Sequence, residues 1–130
     1  MSIVPEDRED ILRKVAFAHV ATIGPSGEPQ VNPVWFDWDG ELLRFSQTTT
    51  RQKYRNLRRD GHIAVSIQDP DNPYRYVELR GELESVEGDE GNAFIDKMAK
   101  KYIDQDTYPW AAPGEHRIVL AVRPRHATKQ

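Results

Sequence analysis

Residues 18–46 read AHVATIGPSGEPQVNPVWFDWDGELLRFS, and two turn signals divide this stretch into apolar runs. Residues 18–23 and 30–38 flank a Pro-Ser-Gly turn, a pattern that predicts a β-hairpin. The dipeptide Asp39-Gly40 favours a second tight turn, after which residues 41–46 form a third strand. Strands joined by such short turns pair antiparallel. The stretch therefore predicts an antiparallel meander near the start of the fold.

The rest of the chain continues this architecture. Further strands are predicted over residues 62–67, 75–86 and 116–128, and helices over residues 5–17, 51–60 and 89–102. Closing about six antiparallel strands into a small barrel removes their exposed edges, so the fold class is mainly β with peripheral helices. Gly81 lies in the middle of a long strand and is expected to mark a bulge. We predict a single domain over residues 1–130, with any ligand outside the filled barrel.

Composition argues against several classes of protein. The chain has no cysteine, which rules out disulfides, thiolate metal sites and cysteine nucleophiles. Its 4 histidines lack metal-ligand spacing, so we expect no metal site. A net charge of −3 argues against general nucleic-acid binding. Residues 1–7 do not resemble a signal peptide and no apolar run is long enough to span a membrane, so we expect a cytoplasmic protein.

The segment Thr48-Thr49-Thr50-Arg51-Gln52-Lys53-Tyr54-Arg55-Asn56-Leu57-Arg58-Arg59-Asp60 carries the clearest chemical signal. It joins a hydroxyl cluster to a helix that is rich in Lys and Arg, in a chain that is otherwise acidic. A helix N-terminus offers unpaired N–H groups and the positive end of the helix dipole, and both favour an anion. Lys53 falls at the edge of the buried helix face, where a lysine needs a partner. We expect a site for a phosphorylated small molecule; a solvated basic face is the alternative.

Two other segments allow both a structural and a binding role. In Gln30-Val31-Asn32-Pro33-Val34-Trp35-Phe36, alternation places the two amide side chains on one face of a strand. These amides are either simply exposed or bond the polar edge of a planar heterocycle, with Pro33 interrupting the strand ladder. In Tyr74-Arg75-Tyr76, the arginine either forms a surface cation–π contact or reaches an anionic ligand.

Taken in order, several stretches of this chain resemble a known family. The run from Thr22 to Trp35 resembles the first hairpin of the split β-barrel flavin-binding proteins, the relatives of pyridoxamine 5′-phosphate oxidase. Residues 53–60 and then 65–76 look like the branch of that family that uses the deazaflavin coenzyme F420. Arg123-Pro124 fits the closing strand. The resemblance spans nearly the whole chain.

The resemblance implies a homodimer with two cofactor sites at its interface. The deazaflavin ring would lie along one strand of each subunit, its phosphate and tail beside the basic helix, and the other subunit would complete the site. The implied cofactor-binding residues are Gln30, Asn32, Pro33 and Val34 at the ring, Ser46, Thr48, Thr49, Thr50, Arg51 and Lys53 at the phosphate and tail, Asn56 nearby, and Tyr74 and Arg75 from the other subunit.

The implied activity is that of an F420-dependent oxidoreductase, which transfers a hydride between the deazaflavin and an unsaturated small-molecule acceptor. No catalytic residue is assigned. One alternative is an FMN-dependent oxidase or reductase of the pyridoxamine 5′-phosphate oxidase type. Oxidases of this superfamily often carry Ser-Arg-Lys at the helix start, where this chain has Arg51-Gln52-Lys53, and the displaced arginine argues against FMN. A cofactor-binding carrier or sensor without turnover is the remaining alternative.

Overall fold

The computed structural model describes residues 3–129. Met1 and Ser2, the first two residues of the segment that does not resemble a signal peptide, lie outside the described residues. The described part of the chain forms one sheet of seven strands with short helices beside it. The strands are β1 Ala18–Ile23, β2 Pro29–Val34, β3 Asp37–Trp38, β4 Leu43–Thr48, β5 His62–Gln68, β6 Tyr76–Gly88 and β7 Arg117–Lys129. The helices are α1 Glu9–Arg13, α2 Gln52–Arg59 and α3 Ala93–Ile103. Short 3-10 turns, Glu6–Arg8 and Glu90–Asn92, precede α1 and α3.

The strand order is β2-β1-β5-β6-β7-β4-β3, with every neighbouring pair antiparallel. The sheet curls into a half-barrel around an apolar core in which Phe36, Phe45 and Leu120 are fully buried. The predicted fold class, a mainly β split barrel, is confirmed. The predicted hairpin is also confirmed, since β1 and β2 pair from Ala18 opposite Val34 to Ile23 opposite Pro29. This arrangement puts β2 at one edge of the sheet.

The number of strands differs from the prediction of about six because the strand expected over residues 30–38 is divided in two. The break falls at Trp35 and Phe36. The Phe36 N–H donates to the Tyr102 hydroxyl at 3.1 Å, and the Phe36 carbonyl accepts from Lys101 Nζ at 2.9 Å. Both backbone groups are therefore bonded to α3 side chains, and the chain turns into the separate strand β3.

The first helix is much shorter than the predicted span of residues 5–17, so that prediction was wrong in its extent. The helix ends at Arg13, and Lys14 has extended backbone angles, φ −83° and ψ 168°. Lys14 Nζ donates to Asp69 Oδ1 at 2.8 Å and also pairs with Asp71. Beyond this point Phe17, predicted to end the helix, is 53% exposed. An ion pair with the loop after β5 thus accompanies the end of the helix.

Gly81 marks the expected irregularity in β6. The pairing of β6 with β7 shifts register between Arg80 and Gly81. A Cβ atom at position 81 would overlap the backbone carbonyl of Arg123. The predicted bulge is therefore confirmed, and it arises from close approach of the two strand backbones.

Within residues 3–129, no helix combines the length and apolar character that crossing a membrane requires.

Candidate anion-binding site

Lys53 is a buried charge in the first turn of α2. Its exposed fraction is 5%, and its Nζ donates to Asn32 Oδ1 on β2 at 2.8 Å. No acidic group among residues 3–129 counters this charge. Burial, and then the neighbouring Arg51, lower the pKa of Lys53. A buried cation without a counter-charge is unfavourable, and an anion bound beside it would remove that penalty.

Asn56, one turn further along α2, fixes the surroundings of Lys53. It is fully buried, and its Nδ2 donates to Thr22 Oγ1 at 3.0 Å and to Gln30 Oε1 at 3.1 Å. Its Oδ1 accepts from Gln52 Nε2 at 2.7 Å. The side chain therefore joins α2 to β1 and β2 through hydrogen bonds. This network holds Gln30 in place on the same strand that carries Asn32.

A cavity of about 390 Å³ opens beside these groups. Its lining combines the basic start of α2 with the amide-bearing strand β2. It is lined by Gln30, Asn32, Pro33, Val34, Gln47, Arg51, Gln52 and Lys53. Six of the residues that the resemblance implied therefore surround one cavity. Gln47 and Gln52 are additional lining residues that the sequence analysis did not select.

The three threonines and Arg51 line a second cavity, of about 410 Å³. The Arg51 N–H donates to the Thr48 carbonyl at 3.2 Å, and the Thr48 and Thr50 hydroxyls lie 3.1 Å apart. No side chain caps α2, and its first turn holds no acidic residue. The N–H groups at the start of α2 thus remain available to an anion. Thr49 also lines this cavity.

Ser46, on β4, accepts a hydrogen bond from Arg117 at 3.1 Å. Arg117, on β7, was not selected from the sequence. Its position next to Ser46 depends on the pairing of β4 with β7, which joins segments about 70 residues apart along the chain. A local sequence pattern therefore does not reveal this contact.

Tyr74 and Arg75, like Ser46 and Asn56, line neither of these two cavities. Arg75 forms ion pairs with Asp10 and Asp69 of its own chain, and these bonds raise the pKa of Arg75. Tyr74 is 79% exposed. Neither residue lines a cavity that contains Lys53. A role for them at a site on another subunit stays a prediction.

The sequence of the whole described fold matches one family model. The model, described as pyridoxamine 5′-phosphate oxidase, matches residues 4–129. The chain belongs to this family. The resemblance noted from the hairpin and the basic helix is thereby confirmed. Among curated proteins, no relative matches the chain.

Solved structures related to this pyridoxamine 5′-phosphate oxidase family member include one described as an F420 reductase. It is 46% identical, the match covers 98% of this chain and 100% of that chain, and the TM-score is 0.90. A conserved hypothetical protein from Mycobacterium tuberculosis is 24% identical over 98% of this chain and 85% of that chain, with a TM-score of 0.72. General stress protein 26 from Bacillus anthracis is 15% identical over 95% and 91%, with a TM-score of 0.71. The last two similarities show the fold alone.

Family membership and the 46% identical structure together support an oxidoreductase with a flavin-type cofactor.

Proposed function

We propose that this protein is an F420-dependent oxidoreductase, which transfers a hydride between the deazaflavin and an unsaturated small-molecule acceptor. The observation that carries the proposal is Lys53. Its ammonium group is buried, lines a cavity and meets an amide oxygen but no carboxylate of residues 3–129. F420 contains a phosphate group, and a phosphate beside Lys53 would supply the missing negative charge.

The proposed phosphate subsite uses the start of α2. Lys53 contributes a charge at a fixed position, because its Nζ is already held by Asn32. Arg51 is exposed and lines both the Lys53 cavity and the threonine cavity, so its guanidinium can follow an anion in either one. Thr48, Thr49 and Thr50 supply hydroxyl donors for the tail, and Ser46 extends this row along β4.

The proposed ring subsite lies along β2. Gln30 is oriented by Asn56, whose Nδ2 donates to Gln30 Oε1, so the amide of Gln30 is presented in one orientation. Pro33 has no N–H, and Val34 supplies a half-buried apolar side chain next to it. An amide edge beside an apolar surface suits a flat heterocycle that has polar atoms along one side.

The cofactor, when bound, supplies the hydride-transfer chemistry. The residues of this chain bind and orient it. Lys53 and Arg51 would hold the charged end, while Gln30 and Asn32 would fix the polar edge of the ring. Pro33 and Val34, which line the same cavity, would cover part of the ring and exclude water from it. No residue is assigned as the proton donor for the acceptor.

FMN is the second candidate cofactor. The family match supports it, because the pyridoxamine 5′-phosphate oxidases that give the family its name are FMN-dependent. FMN also carries a phosphate, so Lys53 would serve either cofactor. The 46% identical F420 reductase and the order Arg51-Gln52-Lys53 at the helix start favour F420.

We also propose a cytoplasmic homodimer in which a second subunit covers the exposed edge strand β2. Of the six β2 residues, Pro29, Val31, Asn32 and Pro33 are exposed. In this dimer Tyr74 of each chain reaches the site of the other subunit. Arg75 contributes by holding its loop through the ion pairs with Asp10 and Asp69. Analytical ultracentrifugation tests this proposal, and a monomer at micromolar concentration contradicts it.

Anaerobic turnover separates an enzyme from a carrier or sensor. Reduced F420 is mixed with catalytic amounts of the protein and a panel of quinones, enones and nitroaromatic compounds. For at least one compound, we expect each protein molecule to reoxidise many molecules of reduced F420, measured as the return of the absorbance of oxidised F420. Binding of reduced F420 without any acceptor-dependent reoxidation would favour the carrier or sensor.

A further inference from the structure

An aromatic cavity of about 240 Å³ adjoins the proposed cofactor site. It shares Pro33, Val34, Gln47 and Arg51 with the cavity that contains Lys53. Its remaining lining residues are mainly aromatic or apolar, with Arg117 as the second cation. They are Phe17, Trp35, Ser46, Thr48, Ile95, Tyr108, Trp110 and Arg117. The two cavities therefore form a continuous surface on which two ligands can lie side by side.

The inner wall of this aromatic cavity is rigid. Trp35 stacks on Tyr102 with ring centroids 5.2 Å apart and an interplanar angle of 6°. The Tyr102 hydroxyl is held by backbone groups of Ala16 and Phe36. Burial raises the pKa of Tyr102 to about 12, so this hydroxyl stays protonated and keeps its donor role. Trp35 thus offers a fixed ring surface to a ligand.

The outer wall comes from the irregular segment between α3 and β7. Tyr108 and Trp110 meet edge to face at 5.7 Å, and each also contacts Trp35, at 6.0 and 6.3 Å. The Tyr108 N–H donates to Asp96 Oδ1 at 2.8 Å, and the Arg117 guanidinium lies 4.5 Å from the Tyr108 ring centre. Although the segment has no regular structure, Tyr108 in its middle is therefore held against both α3 and β7.

Two cations line the aromatic cavity: Arg117, which is paired with an acidic residue, and Arg51, which belongs to the proposed phosphate subsite. Arg117 Nε pairs with Glu115 Oε2 at 3.0 Å, and the Arg117 side chain is only 7% exposed. Arg51 belongs to the proposed phosphate subsite. The cavity consequently presents ring faces rather than a free charge. Trp110 is nevertheless 62% exposed, and a flat ligand on it would cover apolar surface that now faces water.

We propose that this cavity is the acceptor subsite, that Tyr108 and Trp110 are its specificity-determining residues, and that it selects a flat, uncharged fused-ring acceptor. The inference rests on the proposed function, because it places the acceptor next to the ring subsite on β2. The cavity volume fits a small ring system better than a whole cofactor, since pockets for larger ligands measure about 300–1,000 Å³.

The test compares two probes that share a conjugated ketone but differ in the aromatic ring: chromone and 2-cyclohexen-1-one. Affinities for both probes and for F420 are measured by calorimetry for the wild type, Trp110→Ala and Trp110→Phe. We expect the wild type to prefer chromone. Trp110→Ala is expected to weaken chromone binding by about tenfold and Trp110→Phe by about twofold, because phenylalanine keeps a ring face. F420 and cyclohexenone affinities stay at their wild-type values, and thermal unfolding verifies that each variant is folded.

Three results would overturn the proposal: no preference of the wild type for chromone, wild-type chromone affinity in Trp110→Ala, or a parallel loss of F420 affinity, which would assign the wall to the cofactor. A different pair of results would separate the two proposals. If the wild type binds no F420, while Trp110→Ala binds chromone more weakly than the wild type does, the proposed function is overturned and the aromatic subsite is retained.

Discussion

The Lys53 ammonium group lies 2.8 Å from the side-chain oxygen of Asn32, with no carboxylate of the described chain to neutralise it. An amide oxygen offers a dipole, which compensates a buried charge only in part. The free protein therefore holds a desolvated cation at the wall of a cavity. Such an arrangement lowers stability in the free state and becomes favourable once an anion binds.

Lys53→Met tests this cost in the absence of ligand. Methionine keeps most of the length of the side chain and removes the charge, so we expect the free energy of unfolding at neutral pH to rise by about 1 kcal/mol. Urea unfolding measures the change. Because the pKa of folded Lys53 is lowered, the unfolded state binds more protons between that pKa and the ordinary lysine value. The free energy of unfolding of the wild type then rises with pH in this window. The difference in unfolding free energy between Lys53→Met and the wild type becomes smaller. A less stable Lys53→Met protein would contradict this account.

The affinity for F420 is expected to depend on pH through the same group. Only the charged form of Lys53 attracts a phosphate, and its pKa lies below that of an ordinary lysine. Affinity therefore falls with rising pH, and it does so at a lower pH than an exposed lysine would allow. Fluorescence titrations at several pH values measure this trend. Lys53→Arg is the control, since arginine stays charged throughout; an equal fall in that variant would assign the trend to the ligand.

Asn56→Ala is expected to reduce both stability and cofactor affinity. The change removes hydrogen bonds to Thr22, Gln30 and Gln52 inside the protein, and we expect it to cost about 2–3 kcal/mol of stability. Gln30 also loses the group that orients it. Thr22→Val is the matched control, because it removes only the bond from Asn56 to the Thr22 hydroxyl and leaves Gln30 held. If both variants lose F420 affinity equally, the orientation of Gln30 is not the cause.

Gly81→Ala and Gly88→Ala form a matched pair within β6. A Cβ at position 81 overlaps the Arg123 carbonyl, whereas a Cβ at position 88 meets no atom within 4 Å. We expect Gly81→Ala to destabilise the fold by roughly 3 kcal/mol and Gly88→Ala to change stability by less than about 0.5 kcal/mol. Thermal unfolding of the two variants gives the comparison. Equal melting temperatures would show that the β6 and β7 backbones separate easily at the bulge.

Local sequence patterns predicted most of the elements. Turn signals predicted the first hairpin, and the basic segment before Gly61 predicted α2. Residues 5–17 do not form one helix, and the helix ends where Lys14 pairs with Asp69 and Asp71, which are distant in sequence. In the same way, the break at Phe36 depends on Tyr102 and Lys101 from α3. These partners come from remote segments, so no local pattern could show them.

The candidate site was predictable to a similar degree. Lys53 was recognisable as a lysine on a buried helix flank, and the Gln30 and Asn32 amides as neighbours on one strand face. The roles of Asn56 and Arg117 were not, since each depends on how α2, β4 and β7 pack together. The aromatic wall was also missed. Tyr108 and Trp110 belong to a segment without periodicity, and only the tertiary structure brings them to Trp35.

The most direct test of the central claim is a fluorescence titration of F420, and separately of FMN, into the wild type, Lys53→Met and Arg58→Met. Arg58 lies on the same helix but is exposed and outside the cavity, so its variant controls for general loss of positive charge. We predict tighter binding of F420 than of FMN. We also predict a loss of about 1–3 kcal/mol of F420 binding free energy in Lys53→Met and little change in Arg58→Met. Equal F420 affinity in all three proteins, or no binding to the wild type, would contradict the claim that Lys53 is the phosphate-binding residue of a deazaflavin site.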